Sequence, residues 1–389
     1  MRKTEKLILL LFLCGYVLFA MFRTISGVVL PRLSGEFTLS DVEAGLLISS
    51  AMLSTAIAMA LVGHISNAIG REKSLLLGYL LLTSGIVLTG FTASYISCLL
   101  AFATASFGAG ILVSTLYALV GDVLPRSRGF LLGFTNGLFA LGGFIGPWLA
   151  GNILELHNWR EVFKILGSVA VPVLVILLFL FVGGYSVSGS ISGVKGSYRK
   201  ALRNRKVVSL CLMMASANLA FITFLSWTPT FLLRVQSLDV SQAGLVIGIV
   251  SIFGAVGSIT FGLLSDKVGR GLLNAVTGLS AGVVSYILYS GIYEFGILML
   301  VAAGFGLACF AYWNLIIGLA QDYVDRGEIV LVTGLVTNSG TIGAVFGPLI
   351  AGLLANVVGL GGALIVCVTA PFLLYGFASL MRTSFKRIF

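Results

Sequence analysis

Charged and metal-binding residues are scarce in this sequence. Asp, Glu, Lys and Arg make up 10% of its 389 residues, whereas a soluble domain carries about 25%. The five cysteines have neither the spacing of a metal site nor that of a disulfide framework, and the two histidines fall in predicted loops. The composition excludes an ordinary soluble domain, and we expect neither a metal site nor a cofactor.

Buried acids and catalytic signatures are also missing. All 14 Asp and Glu residues fall in predicted loops or near the ends of apolar runs, so no carboxylate is predicted in mid-membrane. The sequence contains no phosphate-binding loop and no Ser-His-Asp arrangement of the kind that hydrolases use. We therefore expect a membrane protein that is not an enzyme.

Apolar runs occupy most of the chain. Each run is long enough, as a helix, to cross a bilayer about 30 Å thick, and none alternates like a barrel strand. They predict an all-α membrane protein with twelve transmembrane helices, the first of which is retained because no cleavage site follows it. The predicted spans are 6–30, 41–63, 73–92, 95–121, 129–155, 161–183, 206–233, 241–264, 271–290, 295–321, 328–356 and 359–381.

The longest interruption between spans runs from Gly183 to Lys206. It begins with the Gly and Ser residues typical of a flexible linker and ends in a basic run typical of a segment beside anionic headgroups. The predicted organisation is an N-terminal six-helix bundle (1–183), a cytoplasmic linker (184–205) and a C-terminal six-helix bundle (206–389).

Lys and Arg are distributed unevenly among the loops. If the N-terminus is cytoplasmic, the outer loops hold only Arg32, Arg160, Lys164 and Arg234, and the inner segments hold nearly all the others. The positive-inside rule then predicts a multi-pass protein of the cell (inner) membrane with both termini in the cytoplasm. We attribute the net charge of +10 to loops facing the lipid bilayer, and no nucleic-acid partner is expected.

The two halves share motifs in the same order. Residues 63–71 (GHISNAIGR) match residues 262–270 (GLLSDKVGR). Residues 44–46 match 243–245, and the Gly-Pro segment 142–151 matches 343–352, which we interpret as close helix packing. Parallel repeats of six spans are the plan of two-bundle transporters, which bind a small-molecule substrate between the bundles near the midplane.

The duplicated loop resembles the signature loop of the major facilitator superfamily, and the resemblance extends over the whole chain. It implies the major facilitator fold, alternating access and loops that latch the cytoplasmic side; we also expect a monomer. Arg71 and Arg270 are predicted to reach Asp122 and Asp322. The alternative is that these four are ordinary loop charges. The predicted gating residues are Arg71, Asp122, Asp266, Arg270 and Asp322; Asn67 stands where the family usually has Asp.

Arg23 interrupts the first apolar run, which extends from Leu7 to Leu30. An arginine deep in a membrane costs roughly 2.5–3.5 kcal/mol on insertion scales and usually faces a water-filled cavity or a partner. About 12 Å of helix separate Arg23 from Pro31. This distance is long for the alternative, in which the Arg23 side chain snorkels to the headgroups. Because a guanidinium binds a carboxylate through two hydrogen bonds, Arg23 predicts an anionic substrate.

An arginine at this distance before the proline of span 1 is similar to the organic anion carriers of that superfamily, in which it binds the substrate carboxylate. Those carriers usually place Asp before the arginine, where this chain has Phe22. The resemblance implies secondary active transport of a small organic anion, driven by a proton (as a symporter) or by a counter-anion. The alternative is export of amphipathic drugs or other neutral molecules, although drug antiporters usually have an arginine where Thr104 stands here.

Further substrate-binding candidates follow from helical spacing and polarity. Tyr16 shares a helix face with Arg23, and Ser26 lies about one turn beyond it. For the Asn candidates the alternative is hydrogen bonding between helices, and for the aromatic candidates it is lipid or core packing. The predicted binding residues are Arg23, Tyr16, Tyr117, Asn136, Asn218, Trp313 and Asn338, with Ser26, Trp227, Tyr312 and Asn314 as further candidates.

Overall fold

The computed structural model describes residues 3–123, 128–182, 198–324 and 328–385. Within these ranges the regular secondary structure is helical, which confirms the all-α prediction. The helices are α1 (Lys3–Glu36), α2 (Asp41–Ile69), α3 (Arg71–Thr89), α4 (Tyr95–Val123), α5 (Arg128–Leu156), α6 (Trp159–Val182), α7 (Tyr198–Arg203), α8 (Arg205–Arg234), α9 (Val240–Val268), α10 (Arg270–Ser290), α11 (Phe295–Cys309), α12 (Tyr312–Gln321), α13 (Ile329–Leu364) and α14 (Ala370–Phe385). A π-helical turn, Ile365–Thr369, joins α13 to α14. The predicted linker lies mostly outside the described residues, and α7 falls in its last part.

Eleven helical segments of the described chain are long and apolar enough to cross a membrane. The last of them, Leu331–Met381, has 51 residues, which as one helix would be more than twice as long as a bilayer is thick. The chain leaves the helical conformation inside it at Gly359, whose φ is 73°. This segment therefore contains predicted spans 11 and 12, and the twelve predicted spans are all present.

One predicted detail of the spans is wrong. We expected the first helix to end at Pro31, but α1 continues through it to Glu36. Proline removes one helical hydrogen bond, and the following turn remains helical because its Leu33 side chain is packed in the core, 1% exposed. Span 10 is present with the predicted bounds, Phe295–Gln321. Its helical hydrogen-bond pattern is interrupted at Phe310 and Ala311, between α11 and α12, where the backbone keeps helical φ and ψ angles. The Phe310 ring in the break packs against other aromatic rings, a tertiary contact that no local pattern indicates.

The membrane-spanning helices pack as two groups of six. In the first group α3 packs on α4, α2 on α4 and α1 on α5; in the second α8 packs on α13, α10 on α14 and α9 on α11. The most extensive contacts between the groups are those of α2 with α13, α5 with α9 and α1 with α8. Because successive spans are antiparallel, the molecule has two ends. We call them the Asp41 end, where α1 ends and α2 begins, and the Arg71 end, where α2 ends and α3 begins.

The α2–α13 contact shows how the two groups diverge. At the Asp41 end a Cβ on Gly352 would lie 2.3 Å from the carbonyl oxygen of Asp41, and one on Gly45 would lie 2.5 Å from that of Pro348. Further along, the Thr341 hydroxyl lies 3.4 Å from the sulfur of Met59. One turn beyond, a Cβ on Gly63 would meet no atom within 4 Å. The helices therefore touch from the Asp41 end to about Met59 and separate toward the Arg71 end.

The α5–α9 contact repeats this arrangement. A Cβ on Gly244, the counterpart of Gly45, would lie 2.3 Å from the carbonyl oxygen of Pro147, the counterpart of Pro348. Toward the Arg71 end, added Cβ atoms on Gly137 and Gly262 would again meet nothing within 4 Å. The repeated motifs thus form two equivalent crossed contacts between the groups. The interpretation of the Gly-Pro segments as sites of close helix packing is confirmed.

Trp227 offers a stability test within the second group. It is 1% exposed, and its indole Nε1–H donates to the Pro348 carbonyl over 3.0 Å. Trp227→Phe leaves that buried carbonyl without its donor, which costs about 1–3 kcal/mol. We expect a lower melting temperature in detergent. Trp148→Phe, at a side chain that is 46% exposed, is the control and should change it little; equal effects of the two variants would contradict this role.

Candidate functional site

Arg23 lies in a cavity between the two helix groups. The cavity is small, about 20 Å³ in volume, and is lined by α1, α2, α4 and α8. The Arg23 side chain is half-buried and is the charged residue of this lining. The side chain therefore points into the protein interior between the bundles and not outward to the lipid, as the cavity interpretation predicted.

Arg23 has no counter-charge in the part of the chain that the structure describes. Its Nε is buried and has no hydrogen-bond acceptor. Its guanidinium carbon lies 5.8 Å from the centre of the Phe19 ring, a favourable but weak contact. A buried charge without a partner is unfavourable, so an anion entering the cavity would relieve a cost that the empty protein bears.

Two buried tyrosines from different helix groups are among the predicted binding residues. Tyr16, on α1, and Tyr312, on α12, are both buried, at 4% and 3% exposed, and each is hydrogen-bonded to another predicted residue. Tyr16 is hydrogen-bonded to Tyr117 over 2.9 Å, and the Tyr312 hydroxyl donates to the Oδ1 of Asn218 over 2.8 Å. The structure thus joins four of the predicted residues in two hydrogen-bonded pairs, one in each half.

The other predicted binding residues have different surroundings. Trp313 is half-buried, and its ring centre is 6.2 Å from that of Tyr312. Asn338 is half-buried, and its Oδ1 is a buried acceptor without a donor. Asn314 instead donates to Ser258 on α9 over 2.9 Å, which is the alternative role of hydrogen bonding between helices. The side chain of Asn136 lies outside the described residues.

Hydroxyl groups of α2, α4 and α8 form part of the lining but were not predicted. They belong to Thr55, Ser106 and Ser226, and Ser26, a further candidate, joins them. Ser26 and Ser226 donate to carbonyls of their own helices over 2.7 Å, to Phe22 and Ile222. Serines that bond back to the helix are common in any apolar helix, so sequence offers no signal that separates these from the rest.

The predicted gating residues lie at the Arg71 end. Arg270 and Asp322 form an ion pair with an N–O distance of 2.7 Å, and the same Arg270 nitrogen donates to the Gly318 carbonyl over 3.0 Å. Gly269 precedes Arg270 with φ of 99°, a conformation that favours glycine. Arg71 follows Gly70, with φ of 87°, in the equivalent turn. The side chains of Asp122 and Asp266 lie outside the described residues.

A second ion pair joins the two halves at the Asp41 end. Arg234, the last residue of α8, contacts the carboxylate of Asp41, the first residue of α2, over 2.8 Å. Nearby, and within the first half, the Glu36 carboxylate accepts from the Trp159 indole and pairs with Arg160 over 2.7 Å. The Asp41 end is thus closed by packed helices and by a charge pair between the halves.

Removing the Asp41–Arg234 pair should loosen this end slightly. The two side chains are 18% and 47% exposed, and an exposed pair contributes about 0.2–1 kcal/mol. We expect Asp41→Asn or Arg234→Gln to raise the labelling rate of Ser26→Cys from the Asp41 side about 1.4- to 5-fold. The charge exchange, Asp41→Arg with Arg234→Asp, should restore the slow rate. Additive effects of the two single variants in the double variant Asp41→Asn, Arg234→Gln would show that the pair does not act as a unit.

Comparison with known proteins places the chain among transporters. The family model described as Major Facilitator Superfamily matches residues 12–348. The hexuronate transporter of Bacillus subtilis (strain 168) is 26% identical over 379 residues, which cover 90% of this chain and 88% of that protein. The gallate transporter of Pseudomonas putida is 25% identical, covering 87% and 82%; the cis,cis-muconate transport protein of Acinetobacter baylyi is 24% identical, covering 88% and 86%.

Solved structures share the fold. A bacterial homologue of the human lysosomal transporter Spinster, in an inward-facing and unoccupied conformation, superimposes with a TM-score of 0.77 at 20% identity, covering 99% of this chain and 96% of that one. The D-xylose–proton symporter superimposes with a TM-score of 0.78 at 17% identity, covering 97% and 96%. The predicted fold, two bundles of six transmembrane helices, is confirmed. The matches also confirm a transporter rather than an enzyme.

Proposed function

Because the chain belongs to the major facilitator superfamily, we propose that it is a secondary active transporter that moves a small organic anion of the carboxylate type across the cell membrane by alternating access. One observation carries the choice of an anion. Arg23 places a guanidinium in the cavity between the bundles, with a buried Nε that has no acceptor among the described residues. A carboxylate supplies both the charge and the acceptor that this group lacks.

The names of the relatives support the same class of substrate. Three of them are described as transporters of hexuronate, gallate and cis,cis-muconate, which are carboxylates. The identities of 24–26% are low, so these names support the class of anion and not a particular compound. Tyr16, Tyr117, Asn218, Trp313 and Asn338, together with Asn136, are proposed to complete the binding site.

The packing between the bundles supports alternating access. The halves touch at the Asp41 end and separate at the Arg71 end. The positive-inside rule places the Arg71 end and both termini in the cytoplasm, so we assign this structure to an inward-open state. The moving bodies are residues 1–183 and 206–389 of a monomer, connected by the linker 184–205.

Gating is assigned to the repeated loops at the Arg71 end. Arg270 pairs with Asp322 inside the second half while the cytoplasmic side is open. Closure would bring the two loops against the opposite half, and ion pairs that differ between the two states bias the equilibrium. Arg71, Asp122 and Asp266 are proposed to act with them as the latch.

Coupling follows from the unpaired charge of Arg23. An empty carrier that closes around this arginine must bury a lone cation, whereas a loaded carrier buries a neutral pair. Closure is therefore favoured when an anion is bound, which favours exchange against a counter-anion. Symport with a proton remains the competing scheme, and the proton would be carried by the substrate, because all acids of the sequence fall near span ends or in loops.

Transport in proteoliposomes tests this function. Vesicles are loaded with unlabelled carboxylate and supplied with the labelled compound, first without and then with an imposed pH gradient. We expect labelled anion to accumulate by counterflow, and a dependence on internal anion rather than on the gradient identifies exchange. Efflux of amphipathic dyes without any carboxylate transport would instead support the alternative, a drug exporter.

A further inference from the structure

The cavity beside Arg23 is too small for an organic anion. Its volume of about 20 Å³ is room for about one water molecule. Side chains must therefore move before a substrate can reach the guanidinium. At the Asp41 end the backbones of the two halves pack directly against each other, as at Gly45 and Pro348. The Arg71 end, where the helices separate, is thus the side from which this structure can be entered.

A row of aromatic side chains lies on that side of Arg23. Because α1 runs toward the Asp41 end, Phe19, one turn before Arg23, lies closer to the Arg71 end. Its ring centre is 6.1 Å from that of Phe139 on α5, which in turn is 6.3 Å from that of Phe310. The Phe310 ring centre lies 5.1 Å from that of Phe221 on α8. These four rings, which we call the aromatic row, have the spacing of favourable ring pairs.

Neighbouring contacts on α5 give the depth of the aromatic row. A Cβ on Gly143 would lie 3.6 Å from the side chain of Thr24, the residue after Arg23. Phe139 lies one turn before Gly143, toward the Arg71 end. Beyond it, a Cβ on Gly137 would meet no atom within 4 Å. The aromatic row therefore lies between the cavity and the point at which α5 and α9 separate.

The central contact of the aromatic row, between Phe139 and Phe310, joins the two halves of the protein. Both of these side chains are half-buried, whereas Phe19 and Phe221 are buried, at 7% and 6% exposed. The open space beside Gly137 is available to a ring that turns away. An aromatic pair is a weak contact, so this one can break and form again while the helices stay in place.

From this arrangement we infer that Phe139 and Phe310 form a gate on the cytoplasmic side of the binding site. While their rings are in contact, Arg23 is covered even though the helices stand apart at the Arg71 end. When the rings part, an anion can reach the guanidinium. The inference rests on the proposed function, because it takes Arg23 as the binding group. It adds two gating residues, one in each half, that lie outside the repeated loops.

Labelling of Ser26→Cys from the Arg71 side tests this gate without any substrate. Ser26 lines the cavity, and an impermeant thiol reagent approaches it from that side in inside-out vesicles. We expect Phe139→Ala or Phe310→Ala to raise the labelling rate about 2- to 12-fold, the factor that corresponds to the 0.5–1.5 kcal/mol of an aromatic pair. The double variant should react no faster than the faster single variant, because both substitutions remove the same contact. Proteins without Ser26→Cys give the background from the native cysteines.

Phe346→Ala is the control for removing a ring. Its side chain is 53% exposed on α13, so this variant should leave the labelling rate unchanged. Folding is checked by the melting temperature. If an alanine variant does not fold, Phe139→Leu or Phe310→Leu takes its place, because leucine keeps an apolar group but loses the ring pair, and the labelling should again become faster.

A purely structural role of the two rings predicts different results. A lower melting temperature with unchanged labelling from the Arg71 side would assign the rings to packing and overturn the gate. An equal increase in labelling from both sides would show a general loosening of the halves and would overturn it as well. The gate predicts an increase from the Arg71 side alone.

Counterflow of a labelled carboxylate separates failure of the gate from failure of the proposed function. Transport that depends on Arg23, together with labelling that does not respond to Phe139→Ala or Phe310→Ala, would overturn the gate and leave the anion function intact. Labelling that responds as expected, in a protein that transports no carboxylate, would support the gate as the cover of this cavity and overturn the anion function.

Discussion

Replacing Arg23 with glutamine is expected to abolish transport of the organic anion while the protein remains folded. Glutamine preserves much of the length and polarity but removes the charge and the paired donors. Each charge-assisted hydrogen bond contributes about 1.5–3 kcal/mol, so losing two lowers affinity by at least about 100-fold. Arg23→Lys keeps the charge without the fork and should be intermediate. Transport is measured as counterflow in proteoliposomes.

The same helix provides the control for this prediction. Arg32 is exposed at the Asp41 end of α1, outside the cavity, and Arg32→Gln should leave transport within about twofold. Stability gives a second readout. Because the Nε of Arg23 is buried without an acceptor, Arg23→Gln should leave the melting temperature unchanged or raise it. Undiminished transport in Arg23→Gln would exclude the anion-binding role.

Adding a side chain at Gly45 is expected to prevent the Asp41 end from closing. A Cβ there would lie 2.5 Å from the carbonyl oxygen of Pro348, and a backbone atom in a packed helix cannot move aside as a flexible side chain could. In Gly45→Val the halves must separate at this end, so the carrier should remain open to the Asp41 side. We expect transport to fall at least about fivefold, since overpacking costs about 1–3 kcal/mol.

Gly296→Val is the control, because it lies near the start of α11 at the same end of the molecule and an added Cβ would meet no atom within 4 Å. The two variants add the same side chain, so a difference between them reports on the tertiary contact. Labelling of Ser26→Cys by a membrane-impermeant reagent should become faster from the Asp41 side in Gly45→Val and unchanged in Gly296→Val. Equal transport in the two variants would show that this contact does not control closure.

The internal repeat extends this prediction to the other crossed contact. Gly244 stands in the second half as Gly45 does in the first, and a Cβ on it would lie 2.3 Å from the carbonyl oxygen of Pro147. Gly244→Val should therefore give the same loss of transport and the same change in labelling. The closed end thus depends on two separate contacts. Blocking either one should be sufficient to hold the halves apart.

Local sequence patterns predicted the helices but not how the helices pack against one another. The number of spans followed from apolar runs because each run must satisfy its backbone inside the membrane as a helix. Span 10 was predicted as one segment because its composition is uniformly apolar, whereas the contacts of the Phe310 ring with Phe139 and Phe221 from other helices could not be predicted from it. Pro31 was misjudged because burial of the next turn, not the local propensity of proline, decides whether α1 continues.

By itself the amino-acid sequence determined the class of the protein, its twelve spans, its duplication and the one charge placed deep in the membrane, since each of these depends on composition or period along the chain. The tertiary structure alone decided that Arg23 faces a cavity without a carboxylate, that Gly45 and Gly244 meet Pro348 and Pro147, and that backbone-bonded serines line the site. These facts depend on which helix faces come together across the two halves. That pairing is set by packing between residues about 100 to 300 positions apart in the sequence, so no local pattern predicts it.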